Sequence, residues 1–317
     1  MAEKTKILID CDPGHDDAVA ILFAARHLDL VGVTTVHGNN ALENTTRNAL
    51  AVLELAGIEV PLAKGCAEPL VQKSIGISPV HGEGGLEGVE LAAPTRKPVA
   101  THAVDFIVET ASRHRGELVL AAIGPQTNIA LALAREPLLK EWVREITVMG
   151  GSTTQGNITP AAEFNIFCDP EAASAVFESG IAIRMVGLNV TRRTGFEEGD
   201  IDRMRYSKKP VAAVVADLMG FYLDKQKAGF GLKVAPMHDV CAIVPHVDPS
   251  LIDYVHTSVR VELCGTYSRG MTVCDLRRPA GSAATKLANR TPPNALVAVE
   301  ARERQLIHLV IETILSY

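Results

Sequence analysis

Along the chain, short runs of continuous apolar residues alternate with stretches whose apolar positions recur every three or four residues. The runs "KILID" (6–10), "LVGVTTV" (30–36), "ELVLAAI" (117–123), "EITVMG" (145–150) and "IAIRMVGL" (181–188) predict strands. The stretches "DAVAILFAARHL" (17–28), "NTTRNALAVLELAG" (44–57) and "TNIALALARE" (127–136) predict helices. Strand–helix alternation predicts βαβ units, and unbroken apolarity within the strands predicts a sheet covered on both faces. The expected architecture is therefore α/β: a Rossmann-like, doubly wound, mostly parallel central sheet flanked by helices. In "FCDPEAASAVFESG", Asp169 is a candidate N-cap, Pro170 suits the first helical position, Glu171 favours the positive helix end and Gly180 can close the helix.

After about residue 190 the pattern loosens, predicting a small additional β/α region in the C-terminal third. There, 193–210 reads as a short helix or loop and 211–226 as a helix. Segments 256–265 and 270–276 read as a hairpin-like pair, and 301–317 as an amphipathic closing helix. Neither an internal repeat nor a low-complexity linker divides the chain, so residues 1–317 are expected to form a single domain.

With 317 residues, 47% of them hydrophobic, the chain can bury a large core. A net charge of −6 without a basic stripe argues against a nucleic acid polymer as partner and favours a small molecule. No secretory h-region opens the sequence and no apolar run is long enough to span a bilayer, so a cytoplasmic protein without a membrane partner is expected. The six cysteines are scattered without a CxxC pair, which predicts reduced thiols rather than a zinc cage or a disulfide framework.

One stretch departs from ordinary folding logic. "DCDPGHDDA" puts Asp10, Asp12, Asp16 and Asp17 at the end of the first predicted strand, with Asp16 or Asp17 expected to open the next helix. Ligand sites of parallel sheets lie beyond the carboxyl ends of the strands. A helix cap accounts for one carboxylate; the others repel one another unless protons or a cation compensate. Oxygen-only donors favour Ca²⁺ or Mg²⁺ over zinc. An EF-hand is excluded, because His15 and Ile21 stand where its loop needs glycine and glutamate.

Four more polar segments should reach the same sheet edge: "HGNN" (37–40), "GPQTNIA" (124–130), "GGSTTQGNITPAAEFNIFCDPEAA" (150–173) and "APMHDVCAI" (235–243). Together with the aspartate loop, they resemble the signature segments of the inosine-uridine preferring nucleoside hydrolases, in the right order through nearly the whole chain. The resemblance implies Ca²⁺ held by Asp12, Asp17, Asp239 and the main-chain carbonyl of Thr127, with Asp12 also the general base toward water. It implies Asp16, Asn157, Glu163 and Asn165 on the ribose hydroxyls, Asn39 as a further polar group of the pocket, and Phe164 against the sugar or the base. Asp10 resembles a supporting carboxylate without a chemical step of its own. His238 matches a histidine placed near the leaving base, and His81 matches a second. Around His81 the chain departs from the common family form, which has an acidic residue directly before Gly-Leu; here Gly84 precedes Gly85 and Leu86. A homodimer or homotetramer is implied as well.

The implied reaction, hydrolysis of ribonucleosides to ribose and free base, also makes physical sense. Breaking an N-glycosidic bond passes through an oxocarbenium-like sugar, which needs nearby negative charge, an activated water and an outlet for charge on the base. Direct attack by water inverts the anomeric carbon. Tyr222, Gln226 and Phe230 in 221–233 are expected on a lid over the base, and Trp142 as a surface anchor. Two alternatives stand beside this reading. A haloacid dehalogenase-type phosphohydrolase would use "ILIDCDPG" but lacks a late paired-acid motif, and a non-catalytic nucleoside- or sugar-binding protein has no need of a metal with an open water position.

Overall fold

In the computed structural model, residues 4–76, 80–277 and 291–317 are described. The first six strands in chain order are β1 (Lys6–Cys11), β2 (Asp29–Thr35), β3 (Leu62–Lys64), β4 (Leu118–Ala122), β5 (Val143–Met149) and β6 (Ile183–Val186). They are followed by β7 (Gly195–Phe196), β8 (Ala235–Pro236), β9 (Ile252–Thr257), β10 (Val259–Val261), β11 (Thr272–Cys274) and β12 (Ala295–Ala301). Eight of these form one sheet in the order β3-β2-β1-β4-β5-β6-β12-β9, parallel throughout except for β9, which runs antiparallel to β12 at the edge.

The strands are parallel because each is apolar on both faces. Within β1, Ile7, Ile9 and Cys11 enter one core cluster while Leu8 enters the other, and all four are fully buried. Helices His15–His27, Pro210–Phe230 and Glu303–Leu315 cover the first face. Helices Ala103–Arg113, Thr127–Arg135 and Pro170–Phe177 cover the second. The strand order reverses between β1 and β4, so the loops after these two strands diverge to opposite faces and leave a crevice between them. The aspartate loop follows β1 and the "GPQTN" turn follows β4, which puts both at that crevice.

The predicted strands and helices are present, and Asp169 does cap its helix, accepting from the Ala172 N–H at 3.0 Å with Pro170 in the first turn. The C-terminal third differs from expectation in two ways. Segment 256–265 divides: its first residues finish β9 in the main sheet, and only β10 pairs with β11. Strand β12 completes the sheet between β6 and β9, and its "ALVAVEA" stretch went unread as a strand. Residues 221–230 are not a separate loop. They are the last turns of the 21-residue helix Pro210–Phe230, which Gly231 ends.

Trp142 is partly exposed in a one-turn helix, with the Arg115 guanidinium 4.5 Å from its ring. All six cysteines are free; Cys11, Cys168 and Cys241 are buried, whereas Cys264 is exposed rather than in the core. No helix among the described residues is long and apolar enough to cross a membrane.

Leu120, at the centre of β4, is fully enclosed. Truncation in Leu120→Ala should lower unfolding stability by about 2–5 kcal/mol. Chemical denaturation with unchanged slope would register the loss; a variant as stable as the parent would mean that this strand is not central to the core.

Candidate active site

The local sequence explains how the acidic loop is built. Strand β1 ends at Cys11; Pro13 cannot donate to a ladder, and Gly14 takes an extended N-cap conformation, so the helix starts at His15, one residue before the earliest expected position. Asp17 then falls at the third helical position and reaches back. Its carboxylate accepts the main-chain N–H groups of Gly14 at 2.9 Å and Asp12 at 3.2 Å. Asp16 faces the opposite segment, where the main-chain N–H groups of His238 and Asp239 favour its ionised form. Asp12 accepts the Asn39 N–H through Oδ2 at 2.6 Å. The loop bearing Asn39 can approach that closely because residue 38 is glycine, at φ +153°; a Cβ there would lie 2.0 Å from Asp12 Oδ2.

The four acids Asp12, Asp16, Asp17 and Asp239 are almost entirely buried. Ligand oxygens of Asp16, Asp17 and Asp239 lie within 4.8 Å of one another. Asp16, expected on the sugar hydroxyls, therefore joins the tight acidic group. Asp12 lies outside it, yet its buried Oδ1 has no hydrogen-bond partner among the described residues. Burial first, then repulsion from Asp17, pushes the Asp12 carboxyl well above the usual carboxylate range; burial and the charges of Asp16 and Asp17 do the same to Asp239. An all-oxygen donor set with an orphaned carboxylate oxygen and destabilised negative charge fits a hard divalent cation.

Asp10 stands behind this group. It accepts from the Thr34 hydroxyl at 2.6 Å and the Asn128 amide at 2.8 Å, and burial pushes it up to about 7. Thr127 begins its helix fully buried, its hydroxyl donating to Asp169 at 2.7 Å.

Beside the acids lies a cavity of about 390 Å³. Asp16, Asn39, His81, Asn157, Glu163, Phe164, Asn165, His238 and Asp239 all line it, so the structure brings together most of the residues singled out in the sequence. Asp12, Asp17, Thr127 and Asp10 lie outside its lining. Glu163 caps the short helix Phe164–Cys168, accepting from Asn165, Ile166 and Gly151 N–H groups at 2.9–3.1 Å. Asn165 donates its amide to the Ile123 and Met149 carbonyls, and Asn157 accepts the Phe164 N–H at 2.8 Å.

Burial, reinforced by the Arg192 charge, holds His238 down at about 3, so it enters as a neutral hydrogen-bonding group, with Nδ1 2.6 Å from the Thr191 hydroxyl. His81 is likewise held well below the usual histidine range, by burial and then by His15 and His238. Sequence reasoning missed Arg192, Leu188 and Gln155 among the lining residues. The first two follow β6, another carboxyl strand end, which was the available signal. The expected lid residues Tyr222 and Gln226 are buried cavity walls, and Phe230 stands half-exposed at its margin.

Comparisons with known proteins agree with this geometry. The family model described as inosine-uridine preferring nucleoside hydrolase matches residues 7–308. The pyrimidine-specific ribonucleoside hydrolase RihB of Escherichia coli K12 is 41% identical over 286 residues, spanning 88% of this chain and 91% of that protein. Among solved structures, a purine-preferring ribonucleoside hydrolase from Gardnerella vaginalis superposes with a TM-score of 0.90 at 32% identity, covering 98% of each chain. The plant nucleoside hydrolase PpNRh1 superposes with a TM-score of 0.89 at 30% identity, covering 99% of this chain and 100% of the other.

If the acids hold a cation, Ca²⁺ should raise the melting temperature, by about 2.7 kcal/mol of stability at 100 times its dissociation constant, and EDTA should reverse the rise. Asp239→Asn, which removes one buried charge, should be at least as stable without Ca²⁺ and should lose the Ca²⁺-dependent shift. Thermal unfolding checks both; an undiminished shift in Asp239→Asn would remove that residue from the cation site.

Proposed function

The chain belongs to the inosine-uridine preferring nucleoside hydrolase family and hydrolyses the N-glycosidic bond of ribonucleosides, and from that premise we propose how its residues divide the work. Ca²⁺ held by Asp12, Asp17, Asp239 and the Thr127 main-chain carbonyl would supply a fixed positive charge that grips vicinal sugar hydroxyls and acidifies water. Asp12 is the general base: its Oδ1, without a partner among the described residues, takes the proton of the attacking water. Asp16, Asn39, Asn157, Glu163 and Asn165 bind and orient the ribose. Phe164 packs against the sugar or the base, and His81 lines the substrate cavity.

Negative charge from the carboxylates stabilises the oxocarbenium-like sugar as the bond to the base lengthens. His238, anchored at Nδ1 on Thr191, turns its other ring nitrogen to the departing base and hydrogen-bonds the charge that gathers there. Asp10 holds the strand end in place beneath them. Water adds from the face opposite the leaving base, so the configuration at the anomeric carbon inverts.

The observation that carries this reading is the buried Asp12 oxygen, without a partner among the described residues, beside the acidic group of Asp16, Asp17 and Asp239 that adjoins a cavity lined by Asn157, Glu163 and Asn165. The relatives divide on the base, since one is named for pyrimidines and another for purines; the chemistry they share is the sugar half of the reaction. We also read residues 1–317 as one catalytic domain, cytoplasmic and assembled as a homodimer or homotetramer, acting on small molecules without nucleic acid polymer or membrane. The free thiols are those of a reducing compartment. Family membership displaces the phosphohydrolase and the non-catalytic binding protein.

Incubation with uridine, cytidine, inosine and adenosine in the presence of Ca²⁺ should release reducing sugar from at least one of them; silence from all four would overturn the assignment. Asp12→Ala should fold normally and lose about 10²–10⁴-fold in kcat, and near-parental turnover would remove Asp12 as base. The corresponding 2′-deoxynucleosides should react far more slowly, because one gripped hydroxyl is gone; equal rates would contradict the proposed hold on the sugar.

A further inference from the structure

We propose that His15 is a positioning residue for His81: it holds that imidazole by the Nδ1 atom, so that Nε2 is the edge His81 presents to the bound nucleoside. The inference rests on the cavity being the nucleoside site. His15 lies in the acidic turn and His81 in a loop 66 residues later, yet their Nδ1 atoms are 2.9 Å apart, one donating to the other. The main-chain nitrogen of His15 also lies 3.3 Å from His81 Nδ1. His15 is itself fixed from behind. Its Nε2 lies 2.7 Å from the Glu87 carbonyl oxygen, which can only accept, so that nitrogen carries a proton and the ring cannot flip without losing the bond.

Both rings are buried and belong to one aromatic stack. Centroids of His81 and His15 are 5.2 Å apart, and Tyr222 lies 5.3 Å from His81 and 5.4 Å from His15, with interplanar angles of 8–21°. The seat also depends on Gly14, where a Cβ would come within 2.6 Å of His81 Nδ1. With Nδ1 engaged by His15, Nε2 is the ring nitrogen left for the cavity that His81 lines. His81 belongs to a loop of turns rather than to a strand or helix, so its own backbone does little to aim the ring. His15 supplies that aim from the rigid helix carrying Asp16 and Asp17, and through Glu87 it ties the same loop down. The group that Nε2 meets is a polar group of the nucleoside, on the sugar or on the base.

A double-mutant cycle tests this. Phenylalanine at either position keeps a ring in the stack and removes its hydrogen bonds. His15→Phe should lower kcat/KM for the best nucleoside by about 10- to 100-fold, the usual scale for groups that orient an active-site ligand. In a His81→Phe background the same change should alter it less than about twofold, because the residue it positions is already gone. Equal losses in both backgrounds would reduce His15 to a structural part and overturn the proposal. Should a variant fail to fold, the unaltered protein still decides: with ¹⁵N-labelled histidine, the two Nδ1 atoms should show a scalar coupling across their hydrogen bond, and its absence overturns the pairing. Comparing 5′-deoxyuridine and N3-methyluridine with uridine separates a sugar contact from a base contact, since only the analogue lacking the group read by Nε2 should react alike in parent and His81→Phe. If neither analogue behaves so, Nε2 does not face the nucleoside. A wild-type enzyme inactive on every nucleoside would refute the reading of the cavity instead, leaving the coupling measurement intact.

Discussion

Unbalanced negative charge is the constraint around which the rest of this protein is arranged. Asp12, Asp16, Asp17 and Asp239 arrive from two distant parts of the sequence and meet almost without exposure to water. Burying one ionised carboxylate is costly, and burying several together multiplies the cost by mutual repulsion. A fold retains such a group when something outside the polypeptide offsets it. The main-chain N–H groups around Asp16 and Asp17 offset part of the charge, and Asn39 offsets part of it on Asp12. The Asp12 oxygen, without a partner among the described residues, is the part left over.

The parallel sheet makes that arrangement possible. At the reversal of strand order the chain leaves β1 and β4 in opposite directions, opening space without breaking either core. The hydrogen-bonding groups at the strand ends become the scaffold of the loops. Thr34 and Asn128, from neighbouring segments, converge on Asp10, which in turn supports the start of the acidic turn. Rigidity at the site is therefore inherited from strands whose residues have no solvent-exposed face.

This explains which features could be read from the sequence. β1, β2, β4, β5 and β6 announced themselves by continuous apolarity, and the aspartates by being too numerous for a helix cap. β12 did not stand out, because "ALVAVEA" lies beside charged residues that read as the approach to the closing helix; its place is set by pairing with β6 and β9, a tertiary fact. For 221–233 the sequence suggested a lid, and the structure continues the helix through Phe230. Glycine and lysine suggested mobility, whereas Tyr222 and Gln226 are buried. Arg192 was within reach of topology, since it follows a carboxyl strand end, but carries no motif of its own. His15 was visible only as the residue denying an EF-hand. Its partner lies 66 positions away, and no local pattern reports such a contact.

Several site residues use one atom for the fold and another for the cavity. Asn165 spends its amide nitrogen on the Ile123 and Met149 carbonyls, Asn157 spends its oxygen on the Phe164 N–H, and His238 spends Nδ1 on Thr191. A side chain tethered at one end loses little further freedom when the other end meets substrate, so less of the binding energy goes into ordering it. The same economy makes these residues hard to replace, because a substitution that keeps the outward group must also satisfy a buried partner, and an unsatisfied buried polar group costs about 1–3 kcal/mol. Tyr222, Gln226 and Phe230, by contrast, reach the cavity from a single helix. Relatives named for pyrimidines and for purines share this fold, so the preference for the base is set by side chains and loops rather than by the architecture.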